Sequence, residues 1–261
     1  MTRARLACAA FAGLVMAAAS LAPSQAQQRF NVAMHASAAE RLALLAERIA
    51  KCYVQVEQGV LASGSRRTLR AAATELDALL PAVAVNAPDA ESAEAFTLLR
   101  VLWKELRPWM QRTPTRENAR QVTERVEEMS WVASKGARLL RADGTAQRAA
   151  LNAMRGATLA QRIARLELQR RATRRPDASS AQLDEARAGL ASVLATLRAT
   201  AFAADATDEM HMAETQHAFL LQALAEAQAG SGAAAFERVA RVADYVTESL
   251  ERLARLEESA G

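Results

Sequence analysis

The chain has 261 residues, of which 51% are hydrophobic and only 4% aromatic, and its 33 basic and 29 acidic side chains give a formal net charge of +4. Because the basic and acidic residues are interleaved, the sequence lacks the one-sided basic surface that nucleic-acid binding needs. Alanine, leucine, arginine and glutamate dominate, and no run of alternating β-branched residues indicates a strand. The composition therefore predicts an almost entirely helical chain.

The first 26 residues are typical of a secretory signal peptide. Arg3 and Arg5 supply positive charge, an apolar stretch covers residues 6–21, and Ser24-Gln25-Ala26 offers small residues around a cleavage point. Cleavage would leave Cys52 as the single cysteine, which excludes an intrachain disulfide. No later uncharged stretch reaches the roughly 18 to 20 apolar residues of a membrane-spanning helix. The sequence thus predicts a soluble periplasmic protein.

Turn and cap signals divide the remaining chain into eight helices. These signals are Ser63-Gly64-Ser65, Pro88-Asp89, Thr113-Pro114-Thr115, Asp143-Gly144, residues 176–180 and Gly230-Ser231-Gly232. The predicted helices span residues 31–62, 66–86, 89–111, 115–142, 146–174, 179–200, 205–229 and 232–258. Pro108 is expected to end or kink the third of them. Turns this short favour antiparallel neighbours.

A repeat with a period of about 114 residues relates the first four helices to the last four. Leu45-Ala46-Glu47-Arg48-Ile49-Ala50-Lys51 returns as Leu159-Ala160-Gln161-Arg162-Ile163-Ala164-Arg165, Arg41 returns as Arg155, and Trp131-Val132 returns as Tyr245-Val246. The repeat predicts an all-α fold of two tandem antiparallel (up-down) four-helix bundle modules, residues 27–142 and 143–261, after a signal peptide at 1–26.

The opening of each repeat resembles a known sensor motif. Arg41 together with residues 45–53 is similar to Gly-Arg-Gln-Arg-Met-Leu-Ser-Gln-Arg-Met-Ala-Lys-x-Tyr, which begins the N-terminal sensor domain of type IV pilus methyl-accepting chemotaxis transducers. A related element occurs in nitrate/nitrite sensor kinases. The resemblance implies a helical-bundle sensor with an arginine-rich anion site. At the position of that family's most important arginine, this chain has Ala43 and Ala157.

Four arginines are the candidate ligand-binding residues. Arg41 and Arg48 are seven residues apart and so share a helix face, as do Arg155 and Arg162 in the second repeat. A guanidinium keeps its proton and presents a planar fork of donors, which suits nitrate or a carboxylate. If the first helices of the two modules face each other, both arginine pairs flank one pseudo-twofold seam.

The same arginines have a structural alternative, in which they form ion pairs with nearby acids. Glu40, Glu47 and Glu57 lie close in the first repeat, and Glu167 lies close in the second. For a helix with this many charges, ion pairing is the stronger interpretation, and the retention of the same two arginines in both repeats is the argument for a ligand site.

Other patterns carry less information about function. Met210-His211-Met212 with His217 could hold a soft metal, but the two histidines are six residues apart and do not share a helix face. No nucleophile elbow, phosphate loop or metalloprotease motif is present, so neither catalysis nor a cofactor is predicted.

Besides a metal or cofactor carrier, which the histidine segment suggests only weakly, two functions remain open on the sequence. The first is a sensory or ligand-binding protein that binds a small anion and relays to a membrane transducer or another envelope protein. The alternative is a structural or interaction protein of the envelope with a degenerate ligand site.

Overall fold

The computed structural model describes residues 25–85, 87–140, 144–173, 177–200, 202–230 and 232–260. Most of the predicted signal peptide, residues 1–24, lies outside the described residues. Asp143, at the predicted boundary between the modules, also lies outside them.

Eight α-helices contain most of the described residues, and none of those residues is in a β-strand. The helices are α1 (Gln25–Gln58), α2 (Ala62–Val85), α3 (Ala90–Met110), α4 (Arg116–Leu139), α5 (Thr145–Thr173), α6 (Asp177–Arg198), α7 (Ala204–Ala229) and α8 (Ala233–Ala260). The all-helical prediction is confirmed.

The first turn lies earlier than the sequence predicted. Gly59 adopts a left-handed backbone with φ 72°, and Leu61 follows with φ 49°. The Val60 amide donates to the Gln55 carbonyl at 2.8 Å, which closes the end of α1. The prediction of a turn at Ser63-Gly64-Ser65 was wrong, because these residues form the first turn of α2. The glycine at 59, which tolerates positive φ, ends the helix instead.

Helices α1 and α5 lie at the centre of the molecule. α1 packs against α2, α4 and α5, while α5 packs against α1, α6 and α8. The outer pairs are α3 with α4 and α7 with α8, whereas α6 and α7 make little contact with each other. The central helices run parallel, since Glu47 meets Arg162 and, further along both helices, Gln58 meets Leu168. Contacts of the first half thus recur in the second, shifted by the sequence repeat.

The buried apolar side chains of both halves form one continuous cluster. Small residues line the two central helices, and Ala43, Ala46, Ala157 and Ala160 are completely buried. Side chains this small allow neighbouring helices to pack closely. Within the described part of the chain, no helix combines the length and apolarity needed to cross a bilayer.

Candidate functional site

A buried cluster of charges joins the two central helices. Glu47 of α1 is 0% exposed, and its two carboxylate oxygens accept hydrogen bonds from Arg162 Nε at 2.8 Å and Arg165 Nε at 2.9 Å. Burial by itself raises the pKa of Glu47, but the attraction of Arg165 and Arg162 outweighs it and the pKa is lowered. The carboxylate is therefore ionised and bridges the two halves.

A second buried link lies one turn further along α1. Lys51, which is 1% exposed, forms an ion pair with Asp244 of α8. The Gln161 amide donates to the same aspartate at 3.0 Å and to Thr247 at 2.7 Å. Gln161 is the repeat counterpart of Glu47, so the equivalent position of the second half carries a neutral amide that donates hydrogen bonds where the first half carries a carboxylate in ion pairs.

The predicted arginines of the first repeat are occupied by acids from other helices. Arg41 binds Glu251 of α8 and donates from Nε to Glu75 of α2 at 2.7 Å. Arg48 Nη2 donates to the same Glu251 at 3.1 Å. Both arginines thus meet one carboxylate, as residues on one helix face should.

The arginines of the second repeat differ from each other. Arg162 pairs with Glu47 and also donates to Ser130 Oγ at 3.0 Å. Arg155 forms no ion pair with any described residue. Three of the four candidate arginines are therefore paired with carboxylates and one is not. Their partners come from other helices, and not from the acids nearest in sequence.

Two cavities flank the central helices. The first, of about 650 Å³, is bounded by α1, α2, α5 and α8. Its walls are mostly apolar, and its charged residues are Arg41, Arg255, Glu75, Glu251 and Glu258. Its acids outnumber its bases, and Arg41 is bound to two of those acids. An anion gains little from a cavity of this charge.

The second cavity, of about 450 Å³, is bounded by α4, α5 and α6 and has the opposite charge balance. Its charged residues are Arg138, Arg155, Arg162, Arg165, Glu127 and Glu185, and its hydroxyl groups belong to Ser130, Ser134 and Thr158. Trp131 and Leu159 add apolar surface, and Trp131 is 60% exposed. Arginine forks, hydroxyls and an aromatic face are the groups that recognise an organic anion.

The repeat explains why Arg155 forms no ion pair of the kind that Arg41 forms. Arg41 forms ion pairs with Glu75 and Glu251. The repeat counterparts of these two acids, 114 residues after Glu75 and 114 residues before Glu251, are Gly189 and Ala137, which carry no charge. Gly189 also packs closely against Leu159, because a Cβ there would lie 3.3 Å from a methyl group of that side chain. Without counterparts of these two acids, Arg155 lines the cavity wall with no ion pair to a described residue.

The positions that depart from the sensor motif also have a structural role. Ala43 and Ala157 are each 0% exposed, and Thr247 Oγ1 donates to the Ala157 carbonyl at 3.5 Å. An arginine at either position would need space that the close packing of the helices does not leave.

The sequence did not single out Arg138, Trp131 or Arg165 as residues of one site. They lie on different helices, or outside the seven-residue spacing that drew attention to Arg155 and Arg162. The only signal in the sequence was the basic residue that ends both copies of the repeated motif, Lys51 in the first and Arg165 in the second. Both residues are buried in the structure.

The histidine segment of α7 does not gather ligands. His211 is largely exposed and lies 3.7 Å from Glu214, while burial lowers the pKa of His217. Among the described residues no group of three or more His, Cys, Asp or Glu side chains is placed to hold a metal ion.

No family model matches the sequence, and no curated protein or solved structure matches it either.

Proposed function

We propose that this protein is an exported ligand-binding module of two tandem four-helix bundles, residues 27–142 and 143–261, whose second cavity binds a small organic carboxylate. Arg155 carries the proposal: it lies in a basic cavity and forms no salt bridge with any described residue, whereas its repeat counterpart Arg41 is neutralised twice. The module would pass the binding event to a membrane transducer or another envelope protein, in keeping with the resemblance of its repeated motif to chemotaxis sensor domains.

The size and walls of the cavity favour an organic carboxylate over nitrate. A volume of about 450 Å³ falls within the range of small-molecule sites. A bare inorganic anion would leave most of this space to water. A carboxylate with a flat apolar body can instead place its oxygens on Arg155 while its body contacts Trp131 and Leu159.

Calorimetric titration with benzoate, succinate, nitrate and sulfate tests the proposal. Benzoate is expected to bind best, and Arg155→Ala should weaken its binding about tenfold or more, because a charge-assisted hydrogen bond contributes about 1.5 to 3 kcal/mol. Arg155→Lys should lose less, since it keeps the charge but not the fork. The matched control is Arg41→Ala, which changes the repeat counterpart and should leave affinity unchanged.

Three outcomes would count against the site. If the wild-type protein binds none of the four anions, the proposed site is excluded. Equal losses in Arg155→Ala and Arg41→Ala would indicate a general electrostatic effect. Benzoate quenching of fluorescence that persists in Trp131→Phe would place the ligand elsewhere.

An interaction protein of the envelope is the second candidate, favoured by an exposed apolar patch on α7 and α8. Phe219 and Tyr245 are about half exposed, and Met212 lies two turns before Phe219 on α7. Exposed aromatic side chains that adjoin each other are a feature of interaction surfaces. Recovery of one defined partner by the wild type but not by Phe219→Glu, with no anion bound by either, would support this candidate over the first.

A further inference from the structure

Glu40 is a buried acid that interacts electrostatically with two arginines of the second cavity. It lies on α1, is 6% exposed, and its Oε2 atom has no hydrogen-bond partner among the described residues. Arg155 of α5 and Arg138 of α4 are the charged groups acting on it, and both line the cavity. The third helix packed on α1 is α2, whose Glu75 is bound to Arg41. The two arginines that act on the Glu40 carboxyl thus also line the second cavity.

The repeat places the same position at the other cavity. The counterpart of Glu40 is Met154, which lines the first cavity. At this position the half of the molecule near Arg155, which forms no salt bridge, has the ionisable Glu40. The half near Arg41, which is already neutralised, has the uncharged thioether of Met154.

We propose that an anion enters the second cavity together with one proton, which the Glu40 carboxylate takes up from solvent. This inference rests on the proposed function and concerns its regulation. No covalent bond changes apart from the new O–H bond of Glu40, and the net charge brought to the cavity by a monocarboxylate and a proton is zero. Arg138 and Arg155 then serve the incoming anion and no longer the buried carboxylate.

The direction of the coupling follows from electrostatics. Burial raises the pKa of Glu40 to about 7, while Arg155 and Arg138 pull it down. A bound anion cancels that pull and adds a nearby negative charge, so the pKa of Glu40 rises further on binding. The complex therefore holds more protons than the free protein at and above pH 7, and affinity falls as the pH rises through this range.

Benzoate titrations of the full chain at pH 6, 7 and 8 measure this coupling, each in two buffers of different ionisation heat. Wild-type affinity should fall above pH 7 by at most about tenfold per pH unit, the limit for one linked proton. The heat should depend on the buffer in the sense of proton uptake. Glu40→Gln should bind equally well at all three pH values, at the affinity that the wild type reaches at pH 6.

Glu57→Gln is the matched control, since it makes the same change on the same helix about 25 Å away. It should keep the pH dependence of the wild type. Binding of benzoate with an affinity and heat independent of pH and buffer would overturn the proton coupling and leave the proposed function standing. Coupling that survives in Glu40→Gln would assign the proton to another group. Absence of binding in the wild type would remove the proposed function and this inference together. The wild-type measurements decide the matter even if a variant does not fold.

Discussion

Glu47 makes the most buried charged contact in the described part of the molecule. Its carboxylate is inaccessible to solvent and is shared by Arg162 and Arg165, and Arg165 is only 1% exposed. Neither arginine can lose its proton, so removal of the acid would leave positive charge in a buried position. Of the four arginines that the repeat singles out, Arg162 therefore depends on an acid that the second repeat replaces with Gln161.

We predict that Glu47→Gln lowers the free energy of unfolding by about 3 to 5 kcal/mol at neutral pH, as measured by urea denaturation. The pKa of Glu47 is lowered in the folded state. Its contribution is thus present above the ordinary carboxyl pKa and is lost as the pH falls through the folded value. The difference between wild type and variant should narrow in acid.

The control for this prediction is Glu117→Gln. Glu117 pairs with Arg120 on the surface of α4, where both side chains are exposed. Its replacement should leave stability almost unchanged. If the two variants lose equal stability, burial does not govern these ion pairs.

At the scale of helices, the turn between α1 and α2 depends on one glycine. Gly59 has φ 72°, and nothing in the described structure lies within 4 Å of a Cβ placed there. Its requirement is therefore conformational and not steric. Gly64, which the sequence placed in the turn, is instead inside α2 and also has open space around it.

The two glycines should respond to alanine in opposite directions. Gly59→Ala should destabilise the protein by about 1 to 2 kcal/mol, the cost of a left-handed conformation for a residue with Cβ. Gly64→Ala should stabilise it by about 0.5 to 1 kcal/mol, because alanine loses less entropy in a helix. Thermal and urea unfolding of both variants provides the measurement. If Gly59→Ala stabilised the protein and Gly64→Ala destabilised it, the result would contradict a turn at Gly59 and support one at Ser63-Gly64-Ser65.

Across the whole molecule, the halves are joined through α1 and α5. The buried apolar cluster extends through both halves, and the ion pairs of Glu47, Lys51 and Arg41 all cross from one half to the other. A contact surface that contains buried charges with fixed partners is specific, since a shifted pairing would leave charges without partners.

We predict that fragments 27–142 and 143–261, produced separately and mixed, form a one-to-one complex that is more helical and more heat-stable than either fragment. Circular dichroism and size-exclusion chromatography measure this. Glu47→Arg in the first fragment should prevent association, because it places a third positive charge beside Arg162 and Arg165.

Glu128→Arg makes the same charge change at an exposed position of α4 and should not impair association. Fragments that fold fully on their own and do not associate would show that the two modules are independent units. In that case the central contact between α1 and α5 would contribute little to the stability of the whole chain.

The sequence by itself determined the helical class, the number of helices and most of their limits. Apolar residues spaced three and four positions apart indicate a helix, and turn residues mark its ends. Both signals depend only on residues close together in the sequence. The 114-residue repeat relates α1 to α5, and in the structure each of them packs against the helix that follows it and against the last helix of its own half. The end of α1 was misplaced because three adjacent turn formers outweighed the single glycine whose backbone conformation ends it.

Only the tertiary structure decided which of the four arginines form ion pairs. Arg41, Arg48, Arg155 and Arg162 look alike in sequence, and their difference comes from acids on other helices, Glu251 and Glu75 on one side and Glu47 on the other. Whether a guanidinium is neutralised depends on what lies within a few ångströms of it. Those neighbours are distant along the chain, so the spacing of the motif could not distinguish Arg155 from the other three.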